Sequence, residues 1–227
     1  VNQFTIIEGQ YHRRPDIVIF VNGIPLVVIE LKNPADEKAT LKSAYNQLQT
    51  YKAQIPSIFR FNEILIISDG ISARAGSLTA NTERFMAWKT VGGSKPTKNV
   101  PQLATLACGM LNKETLLDLC QNFITFDKSK KGIKKILAAY HQYNATNNAL
   151  DSTTNAVGKD KRAGVVWHTQ GSGKSLTMVF YAAKIVRRLD NPTIVVLTDR
   201  NDLDDQLFGT FSKAETLLRQ KPQQADS

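Results

Sequence analysis

Gly164-Val165-Val166-Trp167-His168-Thr169-Gln170-Gly171-Ser172-Gly173-Lys174-Ser175-Leu176 is the stretch that decides the fold. The apolar run Val165 to Trp167 predicts a buried strand, Gly171 and Gly173 punctuate a loop, and a helical pattern opens at Lys174-Ser175. Strand, glycine loop and helix follow in the order a nucleoside triphosphate requires. Glycines let backbone N–H groups approach phosphate oxygens, and a helix N-terminus adds the positive end of its dipole. Thr169, Gly171, Ser172, Gly173, Lys174 and Ser175 are therefore the candidate cofactor-binding residues. Lys174 would reach the β- and γ-phosphates of ATP, and the Ser175 hydroxyl would ligate Mg²⁺. His168 stands where the usual pattern has a glycine. The alternative is a chance Gly/Ser turn ahead of a helix, which the flanking strand and helix patterns disfavour.

Working outward, Asn191-Pro192 breaks the helix, Thr193 to Thr198 predicts the next parallel strand, and Asp199 to Gln206 opens another helix. Upstream, Ile133 to Leu150 reads as a helix and Asp151 to Arg162 as a polar loop. Lys128 to Lys135 is strongly basic and could face DNA or solvate a helix. Alternation of buried strand and helix points to an α/β domain over 127–227.

The other half of the chain carries a different chemistry. Phe4 to Glu8, Ile17 to Val21 and Pro25 to Leu31 predict strands, and Asn22-Gly23 is a hairpin signal. The second and third runs are apolar at odd and even positions, which predicts cover on both faces. Charged residues at the ends of such strands need a reason. They are Asp16, Glu30 and Lys32, and Glu30 and Lys32, two apart on a strand, share a face. Two carboxylates and a lysine at one hairpin end could hold a divalent metal; the alternative is strand-end charges facing solvent.

Register decides whether they can meet. A two-residue Asn22-Gly23 turn would put Asp16 and Glu30 on opposite faces. A shared metal therefore predicts a three-residue loop, Val21-Asn22-Gly23, with Gly23 as a left-handed bulge residue and Asp16 opposite Val28. Asp36 to Gln54 predicts a helix with Ala44, Leu48 and Tyr51 as its apolar stripe and with Gln47 and Tyr51 on one face. Glu63 to Ser68 predicts a further buried strand, Ile71 to Leu78 another, Arg84 to Val91 an edge strand, and Pro101 to Met110 and Lys113 to Asn122 two helices, the second capped by Asn112.

Composition bounds these readings. The chain has 227 residues, 42% hydrophobic and 22% charged, with a net charge of +9 that suits a polyanionic partner without proving one. Cys108 and Cys120 lack metal-ligand spacing and read as buried, reduced thiols of a cytoplasmic protein. No run approaches the roughly 18 apolar residues of a membrane span, and no signal peptide is read at the N-terminus.

Pro15-Asp16 followed after a hairpin by Glu30-Leu31-Lys32 resembles the PD-(D/E)xK nuclease signature. The resemblance implies that Asp16 and Glu30 hold Mg²⁺ and that Lys32 orients or activates the attacking water. Gln47 and Tyr51 follow at the distance of the accessory motif of restriction-type nucleases, which positions the catalytic group or the DNA. Within helicase-like motors a Gln upstream of the phosphate loop reads adenine, which makes Gln142 the candidate here, with Tyr140 or Tyr143 stacking nearby; the alternative is a surface glutamine.

The two motif sets in this order resemble the R (restriction/translocase) subunit of type I restriction–modification enzymes, over nearly the whole chain. Trp167-His168-Thr169-Gln170 is normal for that family, and Asp199-Arg200…Leu203…Gln206 resembles a superfamily 2 helicase motif that contacts the DNA backbone. The resemblance implies a PD-(D/E)xK nuclease-like domain over 1–126, its N-terminal helix absent, followed by the first part of a RecA-like helicase domain over 127–227. It implies Mg²⁺-dependent double-stranded DNA cleavage coupled to ATP-driven translocation, in a complex with methyltransferase and specificity subunits. A motor also needs an acidic motif on a later strand and arginines from a second lobe, which lie outside these residues, so this chain is expected to bind ATP weakly without hydrolysing it at a useful rate. Two other readings compete: a helicase–nuclease of type III or repair type, which is expected to carry its nuclease after the motor, and a non-catalytic nucleotide-binding assembly module.

Overall fold

The structure is a computed structural model and describes residues 1–35, 40–93, 95–129 and 132–225. The chain divides into two compact units, Val1–Leu116 and Leu117–Ser227.

The first unit is built on a mixed four-stranded sheet. A small hairpin, β1 (Ile6–Glu8) and β2 (Tyr11–Arg13), precedes it. The sheet has β3 (Ile17–Val21), β4 (Ile24–Leu31), β5 (Ile64–Ser68) and β6 (Ala73–Gly76) in that order. Only the β4–β5 pair is parallel, and its crossover is helix α1 (Leu41–Gln54) with the 3₁₀ turn Pro56–Phe59. A parallel pair needs such a crossover, because a tight turn cannot return the chain to the same end.

Local chemistry sets the bounds of α1. Thr40 caps it: its hydroxyl accepts the Ser43 N–H at 3.0 Å, and Ser43 Oγ accepts the Thr40 N–H at 3.0 Å. Pro56 lies just beyond Ile55, where the helix stops. The first residues of the expected helix, 36–39, lie outside the described ones. Ala44, Leu48 and Tyr51 turn inward and pack with Val18, Val28, Leu65 and Ile67. Those strand residues share one face of the sheet; Val27, Ile29, Ile64 and Ile66 on the other are equally buried. Leu48→Ala is expected to destabilise the chain by about 2–5 kcal/mol, the usual range for a leucine deleted from a closed core, read as a lowered urea midpoint.

The hairpin corrects the expected register. Val21 pairs with Ile24, so the turn is the two-residue Asn22-Gly23, with φ of 50° and 80°. Phe20 then faces Pro25 while Ile19 faces Val27, so Leu26 is the extra residue of a β-bulge. The displacement expected in the loop is made inside β4. Continued to its end, Ile17 faces Ile29, which sets Asp16 opposite Glu30 on one face.

Other expectations also shift. β4 and β5 are buried on both faces along most of their length, but β3 is an edge strand in which only Val18 is fully buried. Arg84 to Val91 makes a single bridge, Ala75 to Met86, and then leaves the sheet as the Trp88 indole N–H turns back to the Thr90 carbonyl at 3.0 Å. Helix α2 (Gln102–Gly109) packs on β6. Cys108 on α2 is exposed rather than buried, since the inward positions of this short helix are Thr105, Leu106 and Gly109.

Helix α3 (Lys113–Asn122) spans the division between the units, and the Asn112 side chain caps it by accepting the Glu114 N–H at 3.0 Å. In the second unit β7 (Ile124–Ser129) and β8 (Gly132–Leu137) form an antiparallel hairpin. The expected helix from Ile133 therefore begins only at Tyr140, as α4 (Tyr140–Val157), and α4 occupies part of the expected loop. Helices α5 (Lys174–Arg188), α6 (Asn201–Lys213) and α7 (Glu215–Leu218) follow. Phe123, Tyr143 and Phe180 form the aromatic centre, with ring centroids 4.8 and 5.4 Å from Phe123. Around it the Lys184 ammonium meets Asp118 at 2.7 Å and Asn147 Oδ1 at 2.7 Å, joining α3, α4 and α5.

Two expected strands do not form. Residues 164–169 and 193–198 have no ladder partner among the described residues, and Val165, Trp167, Val195 and Leu197 are largely exposed. Apolar content favours a strand only when neighbours complete its hydrogen bonds.

Candidate functional sites

The first site forms at the C-terminal end of the parallel pair, a favoured place for ligands in α/β sheets. Glu30 and Lys32 lie on the Val28 face of the sheet, the face α1 covers, which brings Tyr51 towards Glu30. Asp16 sits just before β3, and its Oδ2 accepts the Leu31 N–H at 2.7 Å, tying the two strand ends together. The Lys32 ammonium donates to Glu30 Oε1 at 2.6 Å. The Glu30 side chain is only 4% exposed against 27% for Lys32.

Burial first, and then the negative charge of Asp16, raise the Glu30 carboxyl above its ordinary range, although Lys32 pulls the other way. Burial and the Glu30 charge also push the Tyr51 phenol up, so it stays protonated, and Gln47 on the preceding turn adjoins it. Tyr51 approaches Glu30 closely enough for each to influence the other's ionisation, yet Glu30 Oε2 is buried without a partner in hydrogen-bond geometry. An orphaned, buried carboxylate oxygen beside a second carboxylate fits a hard cation. No cluster of three His, Cys, Asp or Glu side chains occurs among the described residues. Two carboxylates suit Mg²⁺, which commonly keeps several waters. Asp16, Glu30, Lys32, Gln47 and Tyr51 are thus brought together.

The second site is the loop ahead of α5. Gly171 and Gly173 have φ of 77° and 80°, a left-handed conformation open to glycine at little cost, and Gly173 caps the helix. The Ser172 hydroxyl donates to the Thr169 carbonyl at 2.7 Å, closing the loop on itself. Lys174 folds back, its ammonium 3.2 Å from both the His168 and the Thr169 carbonyl oxygens. Ser175 follows as the second residue of the helix.

Gln142 is buried beneath this loop. Its Oε1 accepts the Ala139 N–H at 2.9 Å, capping α4, and its Nε2 donates to the Gly173 carbonyl at 3.1 Å. Both ends of the amide are engaged by backbone. A Cβ at Gly173 would lie 2.6 Å from Gln142 Nε2 and would push that side-chain end aside, while the positive φ is what favours glycine here. His141 places Nε2 3.0 Å from the Ser172 carbonyl oxygen. The His168 ring lies edge-on to it, centroids 5.4 Å apart. Burial, then the neighbouring His141 and Lys174, hold the His168 pKa down. Spacing alone does not show this brace, because His141 and Ser172 come from elements separated by the α4 turn and loop.

The two sites define a protein with a candidate metal–carboxylate centre in one α/β unit and a candidate phosphate-binding loop in another. Residues 1–84 match the family described as type I restriction enzyme R protein N terminus, and residues 141–227 match that described as SWI2/SNF2 ATPase. The chain carries the N-terminal domain of the type I restriction enzyme R proteins. Over its whole length it is 51% identical to the type I restriction enzyme HindI endonuclease subunit of Haemophilus influenzae. It is 36% identical, over 93% of its length, to a Methanocaldococcus jannaschii protein whose name assigns it provisionally as the MjaIXP endonuclease subunit. A Staphylococcus aureus subunit of the same type is 29% identical over 93% of the chain. The chain spans about a fifth (22%) of the length of each of these relatives. No helix of the described residues is long and apolar enough to cross a membrane.

Proposed function

We propose that this chain is the nuclease segment and the beginning of the ATP-driven motor of a type I restriction endonuclease subunit. The single observation that carries the nuclease half is the convergence of Asp16, Glu30 and Lys32 with the orphaned Glu30 Oε2. Residues 1–126 are read as a PD-(D/E)xK nuclease-like fold and residues 127–227 as the opening of a RecA-like domain.

In this reading Asp16 and Glu30 hold Mg²⁺, which supplies Lewis-acid stabilisation of charge on a scissile phosphate. Lys32 leaves Glu30 Oε1 to orient the attacking water, while the protonated Tyr51 and Gln47 fix the Glu30 side chain. In the second unit Thr169 to Ser175 cradle the phosphates of ATP, with Lys174 moving from the loop carbonyls to the phosphates and Ser175 on Mg²⁺. Gln142 shapes the loop from below, and reading adenine would require its amide to release the Ala139 N–H and the Gly173 carbonyl. The complete subunit would act on double-stranded DNA in the cytoplasm with methyltransferase and specificity subunits, and the net charge of +9 favours phosphate contacts.

The test is a reconstituted complete enzyme carrying this segment. Asp16→Asn is expected to reduce cleavage of unmodified plasmid by about a hundredfold or more, as loss of groups around a metal does, while DNA-stimulated ATP hydrolysis persists. Cleavage at the unaltered rate would remove the nuclease reading. The non-catalytic assembly reading would then stand on the phosphate loop alone.

A further inference from the structure

We propose that His141 is a positioning residue for the phosphate loop, acting through the Ser172 carbonyl. This rests on the reading of residues 169–175 as a nucleotide-phosphate site. A carbonyl can only accept, so the 3.0 Å contact requires the His141 tautomer that carries its proton on Nε2.

The peptide unit is planar and trans, so its C=O and the next N–H point in opposite directions. Holding the Ser172 carbonyl towards α4 therefore aims the Gly173 N–H away from α4. Gln142 does the same one peptide later, holding the Gly173 carbonyl at 3.1 Å and aiming the Lys174 N–H. Consecutive N–H groups turned to one side form the concave donor array that receives an anion. Adjacent residues of the first turn of α4 thus set two consecutive donors of the loop. The edge-on packing of the His168 ring fixes the plane of the His141 ring.

The contact matters because, among the described residues, His141 is the partner that holds the Ser172 carbonyl, whereas Thr169 holds only the Ser172 N–H and hydroxyl. Gly171 and Gly173 flank Ser172, both with positive φ, and glycine permits the flipped peptide almost as readily. Without His141 the Ser172–Gly173 peptide is free to rotate, and part of the loop population presents a carbonyl where a phosphate oxygen must sit. Such a loss lowers affinity by the fraction of misoriented loops and is felt only by ligands carrying phosphate.

The experiment compares the 227-residue chain with His141→Ala and His141→Gln. The first readout, without nucleotide, is the amide ¹H–¹⁵N signal of Gly173, which reports the bond made by the preceding carbonyl. The second is ATP binding by calorimetry. Loss of one such hydrogen bond is expected to shift the Gly173 signal in His141→Ala and weaken ATP about threefold to tenfold. His141→Gln, whose amide can also donate, is expected to recover part of both, with unchanged far-ultraviolet circular dichroism in each variant. An unshifted Gly173 signal with wild-type affinity in His141→Ala overturns the proposal alone, provided Lys174→Ala weakens binding. Absence of ATP binding by the parent chain overturns the phosphate-site reading and the proposal with it.

Discussion

Glu30→Ala is expected to abolish saturable Mn²⁺ or Mg²⁺ binding by this chain, measured by calorimetry against the parent protein. Glu30 contributes the buried oxygen that lacks a hydrogen-bond partner, and Asp16 already spends Oδ2 on the Leu31 N–H. What remains in the variant is one free oxygen of a half-exposed aspartate, which holds a hydrated divalent ion no better than an ordinary surface carboxylate. Glu30→Gln makes the comparison sharper, because it keeps the shape and the Lys32 contact while removing the charge.

The pH dependence follows from the same environment. The folded protein raises the Glu30 pKa, so the folded state favours the protonated carboxyl. This group's contribution to stability is full below its unfolded pKa and is lost as pH rises through the folded value. A divalent ion needs the ionised form and competes with that proton. Metal affinity is therefore expected to fall as pH is lowered through the raised pKa, at a higher pH than for an ordinary glutamate. In the absence of metal, Glu30→Gln is expected to be at least as stable as the parent at neutral pH. Metal binding by Glu30→Gln equal to the parent's would sink the site, and no binding by the parent would show that the carboxylates are structural.

Lys174→Ala is expected to weaken ATP binding by about ten- to a hundredfold, the range for a hydrogen bond to a charged group that is lost outright. In the nucleotide-free loop the ammonium makes two contacts with neutral carbonyl oxygens at 3.2 Å. A triphosphate offers charged acceptors instead, so the exchange favours the ligand. The side chain is exposed, and its removal leaves the helix intact, so circular dichroism and melting should be unchanged. Equal affinity in variant and parent would show that the glycine loop is a turn with no phosphate in it.

Much of the first unit was legible because its signals are local and agree. Asn22-Gly23 marks the turn, Pro56 the end of α1, and the Ala44, Leu48, Tyr51 stripe its buried face. The face shared by Asp16 and Glu30 was legible too, but not its cause. An isolated Leu26 carries no mark of a bulge, since any apolar residue in a buried strand looks alike.

The second unit was less legible. Ile133, Ile136 and Leu137 have helical spacing, so the sequence reads as a helix where β8 pairs with β7. Pairing won because Gly132 adopts a φ of 112° at the start of β8, beside residues 130–131, which lie outside the described ones. α4 outran its predicted end through a polar stretch whose hydroxyls find partners within the helix and on α5: Thr154 Oγ1 donates to the Leu150 carbonyl at 2.8 Å, and Thr153 meets the Tyr181 hydroxyl of α5 at 2.6 Å. The brace under the phosphate loop was illegible in principle, being made by backbone carbonyls that any residue type supplies.

The bulge at Leu26 also governs which kinds of genetic change the first site can survive. Between Asp16 and Glu30 the strands keep one turn of two residues plus one unpaired residue. Deleting Leu26 removes the unpaired residue and leaves the pairs from Val21–Ile24 to Ile17–Ile29, and so Asp16 opposite Glu30, as they stand. Point substitutions at solvent-facing positions leave the pairing untouched. Leu26 is thus the strand residue between the two carboxylates whose loss disturbs the pairing least, and in a library of single in-frame deletions across residues 17–29 its deletion is expected to be the best tolerated.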